Sequence, residues 1–98
     1  EKILSAHCDD VEAVPGQIVQ CRVDFALGND VTSPLAIKGF ETLGLEEVFD
    51  RDRVALVPDH FVPNKDIAAA EQVAVMRAFA KKHHVTNYFE VGQMGIEH

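Results

Sequence analysis

The run Val54-Ala55-Leu56-Val57, halted by Pro58 and followed by an Ala-rich segment, constrains the fold of this chain more than any other feature. Four apolar residues in a row put apolar side chains on both faces of a pleated strand, so the run predicts a strand covered on both sides. From about Asn64 or Lys65 to Lys82 the chain carries Ile67, Val73, Met76 and Phe79 on a background of good helix formers and ends in lysines, which predicts a helix finished in accord with its dipole. Thr86 to Val91 (TNYFEV) is strand-like and ends at Gly92. Strand, long helix and strand make a crossover unit, and a crossover of that length joins parallel strands.

Upstream the same alternation is expected. Pro15-Gly16 marks a turn, and Ile18, Val19, Cys21, Val23 and Phe25 give partial alternation that predicts a strand over Gln17 to Ala26, broken by Gly28. Thr32-Ser33-Pro34 places a capping hydroxyl before a proline at the first helical position. Leu35, Ala36, Phe40 and Leu43 then form an apolar stripe at helical spacing, with Gly44 suited to close the helix. Leu45 to Arg53 reads as a polar connection, and Glu1 to Cys8 as the end of a short helix. Together these elements predict an α/β fold: a small, mostly parallel sheet in a three-layer α/β/α arrangement, with residues 1–98 forming one sub-domain. The apolar residues of the long helix reach around most of its circumference. Such a helix expects neighbours on more than one side, more than a chain of 98 residues supplies by itself.

Charge and composition exclude several classes. A net charge of -7 repels phosphate backbones and anionic lipid, so no nucleic-acid partner is expected. No apolar run approaches the ~20 residues a membrane-spanning helix needs, and a cytoplasmic setting without membrane attachment is the expectation. Cys8 and Cys21 match neither CxxC nor zinc-ligand spacing; they read as packed thiols in a reducing compartment, not as metal ligands. No nucleophile triad and no phosphate-cradling glycine motif is present.

In open α/β sheets, ligands gather beyond the carboxyl ends of the strands. Three polar clusters fall there: Asn29-Asp30 with Thr32-Ser33, Asp59-His60, and the tail ending in His98. A carboxylate beside an imidazole favours the protonated ring, so Asp59 and His60 suit a general acid; a solvated turn is the plainer reading of the same dipeptide. Asp30 and Thr32 serve either ligand contact or the amides of a helix start. His83 and His84, at a helix end, read as surface residues, and His98 as a chain end.

A resemblance sharpens this reading. VALVPDHFVP at 54–63 with NKDIAAAEQ at 64–72 resembles the DHxxP segment of the aconitase superfamily and the helix after it. EKILSAH at 1–7, PGQIVQCRVDFALGNDVTSPLAI at 15–37 and FEVGQMGIEH at 89–98 are similar to successive blocks of 3-isopropylmalate dehydratase large subunits, in the same order. The resemblance implies the N-terminal sub-domain of a longer iron-sulfur hydro-lyase, inactive alone, that isomerises 2-isopropylmalate to 3-isopropylmalate in leucine biosynthesis. It implies Asp59 and His60 as the catalytic pair, with the His protonating the leaving hydroxyl, and Asp30, Thr32, Ser33 and His98 near a hydroxy-dicarboxylate substrate. It further implies a [4Fe-4S] cluster held by cysteines that this chain lacks, a catalytic base from a mobile domain or separate small subunit, and the remaining large-subunit domains as partners. Pro34 stands where aconitase has Gln, which favours a substrate other than citrate. A homoaconitase or related hydratase is the alternative within the class, and a non-catalytic α/β binding module the alternative outside it.

Overall fold

The computed structural model describes residues 1–9 and 12–95. Its elements in chain order are helix α1 (Lys2–His7), strand β1 (Ala26–Asn29), helix α2 (Ser33–Thr42), a 3-10 turn (Arg51–Arg53), strand β2 (Val54–Val57), helix α3 (Ile67–Lys82) and strand β3 (Asn87–Tyr88). The sheet runs β1-β2-β3 with both pairings parallel, as the crossover pattern predicts. Asn29 lies opposite Val57 and Leu56 opposite Tyr88, so the carboxyl ends of β1 and β2 leave the sheet side by side.

All four residues of β2 are buried, which is why the run needed no alternation. Val54 and Leu56 pack with Ile37 of α2, with Met76, Phe79 and Ala80 of α3, and with Val85. Met76 is fully buried and anchors α3; truncating such a side chain typically costs about 2–5 kcal/mol. Helix α3 starts later than its composition suggests, because Asp66 is its N-cap and its carboxylate accepts the Ala69 amide at 2.8 Å. His83, expected at the surface, instead packs its ring against Phe79 at 4.4 Å and Phe40 at 5.3 Å. His84 takes a left-handed backbone conformation, φ 54°, where the chain leaves the helix.

Two strands differ from expectation. Residues 17–25 are not a strand, and several of their apolar side chains are open to solvent: Ile18 is 98 % exposed and Val23 64 %. Alternation there meets no strand partner among the described residues, and a strand without a ladder leaves most of its amides without protein acceptors. Pairing begins at Ala26 and runs through Gly28, which is a strand residue and not a breaker. The reason is space. A Cβ at Gly28 would lie 2.2 Å from Ser33 Oγ and 3.2 Å from Leu56 Cδ2, so the first turn of α2 seats directly on the strand only because no side chain intervenes. The third strand is shorter than TNYFEV, although the Phe89 amide still donates to Leu56 O at 3.1 Å.

Gly28→Ala is therefore expected to cost about 1–3 kcal/mol in urea unfolding, as overpacking does. Adding Ser33→Ala should recover most of that loss by vacating the closest atom. Failure to recover would move the constraint to Leu56 and the backbone.

The chain exposes 7275 Å². A compact monomer of this mass exposes about 5500 Å² by the usual size scaling. Its radius of gyration, 15.8 Å, likewise exceeds the roughly 12–13 Å of a compact domain of this length. The excess is rich in apolar groups, among them Ile3, Ile18, Leu35, Leu43 and Ile67, each more than three-quarters exposed. No helix among the described residues is long and apolar enough to cross a membrane.

Candidate active site

Because β1 and β2 end in register, Asp30 and the Pro58-Asp59-His60 turn emerge next to each other. Asp30 is completely buried. Its Oδ1 accepts the backbone N–H of His60 at 3.0 Å, and its Oδ2 accepts that of Phe61 at 2.8 Å. One carboxylate thus holds two successive amides of the neighbouring loop, a charge-assisted arrangement that offsets the cost of burying the charge. The turn is further fixed by the Asp59 amide, which donates to Val57 O at 3.1 Å, and by Pro58, whose side chain is fully buried.

On this platform the His60 ring meets the Asp59 carboxylate, Nδ1 to Oδ1 at 2.6 Å, while Asp30 Oδ1 lies 3.9 Å from the same nitrogen. The side chains of Asp59 and Asp30 are 4 % and 0 % exposed and that of His60 is 36 % exposed. Two sheltered carboxylates therefore underlie an imidazole that reaches solvent. Asp59 thus holds the imidazole in one orientation through Nδ1, the usual way a carboxylate positions a histidine. Ligand atoms of Asp30, Asp59 and His60 also lie within 4.8 Å of one another. Both Asp30 oxygens already accept amides, however, which suits a scaffold better than a cation site.

The remaining expected residues divide. Thr32 does not cap α2 with its side chain; Asn29 Oδ1 accepts the amides of Val31 and Thr32 at 3.0 and 3.1 Å and the Thr32 hydroxyl at 3.2 Å. Asn29 is thus the organiser of this corner, an Asx turn that an Asn three residues before Thr32 already suggests. Ser33 is buried beneath Gly28. Neither Asp30 nor Ser33 is presented to solvent, whereas Thr32 lies at the more open edge of a cavity of about 340 Å³ between α2 and the sheet. His98 lies outside the described residues. The sequence pointed to Asp30 but not to its partners, since the backbone amides of residues 60 and 61 become its neighbours only through strand register.

At the far end of α3, Arg77 forms a two-pronged pair with Glu90, at 2.6 and 2.8 Å. Arg77 holds the Glu90 carboxyl down to about 2, with the Val91 amide assisting. This pair fastens the segment after β3 to the helix.

No family model matches the chain. Over all 98 residues it is 62 % identical to the 3-isopropylmalate dehydratase large subunit of Thermoanaerobacter pseudethanolicus and 57 % identical to that of Thermodesulfovibrio yellowstonii. The corresponding protein of Moorella thermoacetica is 56 % identical over the same span. The whole of the chain is covered in each comparison, and it spans 23 % of each relative's length.

Proposed function

We infer, from a sequence that belongs to the 3-isopropylmalate dehydratase large-subunit family, that this chain contributes the general acid of a hydro-lyase interconverting 2- and 3-isopropylmalate. The identity of 55–63 % along its entire length to large subunits carries the reading. The Asp59-His60 geometry supports it, because dehydration of a hydroxy acid needs a proton delivered to the departing hydroxyl, and a part-exposed imidazole paired with a carboxylate suits that role. In the elimination, the hydroxyl leaves as water with a proton from the His60 imidazolium, a base removes the proton from the neighbouring carbon, and the reverse addition places the hydroxyl on the other carbon. Asp59 keeps the ring oriented in both directions, and Asp30 keeps the turn that carries it.

The chain does not fit the cluster that the family implies. A [4Fe-4S] cluster is held by cysteine thiolates, and here the two cysteines are neighbours of each other, Sγ to Sγ at 2.8 Å, in the N-terminal segment. The cluster ligands of the complete protein therefore come from other segments, as does the base. Excess apolar surface supports the same division of labour, since exposed Leu35, Leu43 and Ile67 are apolar groups that a neighbouring domain or subunit can cover. The further large-subunit domains and a small subunit are the partners proposed, and a cytoplasmic setting is proposed with them.

The test is an assay of the polypeptide carrying this sequence together with the other segments of a large subunit and a small subunit. Interconversion of the two isopropylmalates is expected, with the unsaturated acid as intermediate. Hydration of homoaconitate in preference to the isopropylmalates would replace the substrate assignment.

A further inference from the structure

Helix α1 is tied to residues 21–24 by three contacts of different chemistry. The Arg22 amide donates to His7 O at 2.9 Å, His7 Nε2 meets Asp24 Oδ2 at 2.5 Å, and Cys8 Sγ lies 2.8 Å from Cys21 Sγ. The Ile3 carbonyl and the Asp24 carboxylate raise the His7 imidazole above its ordinary range, which favours the charged pair across this junction. Cys8 is buried, whereas Cys21 is partly exposed. Nothing in the proposed hydration chemistry uses either thiol.

We propose that Cys8 and Cys21 form a reversible modification site, closing to an intramolecular disulfide on exposure to a low-molecular-weight disulfide such as oxidised glutathione. Their sulfurs are within 1 Å of bonding distance, taken as about 2.05 Å, so closure needs only a local shift. Two contacts that do not involve sulfur already fix the junction, and this raises the effective concentration of one thiol at the other. Cys21 meets the reagent first, since it is the more accessible sulfur. Its thiolate attacks the reagent disulfide and releases one glutathione thiolate, leaving a mixed disulfide on Cys21. Cys8 is held as a thiol by its bond to Cys21 and by burial. Once deprotonated, it attacks the Cys21 sulfur and expels the second glutathione. In sum, two protein thiols and one glutathione disulfide give one protein disulfide and two glutathione thiols. The product staples α1 to residues 21–24 and removes chain entropy from the unfolded state.

The experiment treats this chain with oxidised glutathione under native conditions and, in parallel, in concentrated urea. After blocking residual thiols, the product is cut with a protease that cleaves after Glu. Glu12 separates the two cysteines, so they remain joined only through sulfur. The expected native product is a single linked pair of peptides from monomeric chain, formed at least about tenfold faster than in urea, with both thiols restored by reductant. Cys8→Ser should stop at a stable glutathione adduct on Cys21. Retention of glutathione on the unsubstituted chain, disulfide-linked dimers, or closure no faster natively than in urea would each overturn the proposal.

Discussion

Asp30→Ala is expected to lower the stability of this chain by about 3–6 kcal/mol, the sum of two hydrogen bonds to a charged acceptor at their usual worth. Both bonds cross between loops: Oδ1 to the His60 amide and Oδ2 to the Phe61 amide. Alanine leaves those amides without their acceptor in a site where Asp30 itself is fully buried, and no single neighbouring residue replaces it. The loss is a large share of a domain's ordinary margin of about 5–15 kcal/mol. This chain also buries less surface than its mass allows, which places it toward the lower end. Urea unfolding measures the change, and amide hydrogen exchange at residues 60 and 61 locates it. Asp30→Asn keeps one acceptor and should fall between alanine and the unsubstituted chain. A change below about 0.5 kcal/mol for Asp30→Ala, the range of ordinary surface substitutions, would mean that the turn is held by other contacts.

The legible and illegible parts of this fold separate along a physical line. Val54 to Val57 was readable because burial on both faces leaves a continuous apolar run, and the long helix because its propensity is local. Residues 17–25 carry the pattern of a strand, yet a strand needs a partner, and the pairing begins only at Ala26. Gly28 looked like a break since glycine usually is one; its role depends on the position of Ser33 in three dimensions. The same holds for the site. Asp59 and His60 are adjacent in sequence, which allowed a pairing without guaranteeing it, and the contact is a matter of the turn's shape. Asp30 is thirty residues away from His60, and its amide partners follow from how β1 ends beside β2, whereas Asn29 shapes the turn before α2 through the amides of Val31 and Thr32. A buried carboxylate under the backbone of the Asp59-His60 turn has no motif of its own.

His60→Ala, by contrast, is expected to spare the fold and remove the chemistry. The His60 side chain is 36 % exposed, and the bonds that shape its turn are made by its amide, which alanine retains. The substitution does remove the Nδ1 partner of the sheltered Asp59 carboxylate, so on this chain it should cost about 1–3 kcal/mol, less than Asp30→Ala. In the complete, cluster-loaded protein it should lower kcat about 10²–10⁴-fold, the usual worth of a positioned general acid, with the cluster's absorption spectrum unchanged. The pair of variants is diagnostic because the two residues meet at one turn: Asp30→Ala acts through stability and His60→Ala through turnover. Asp59→Asn supplies the third corner. It keeps the shape but presents a neutral partner to Nδ1, so turnover should fall, though less than for alanine at His60. Unchanged kcat in His60→Ala, with the cluster intact, would remove His60 from the reaction and leave the turn as scaffold alone.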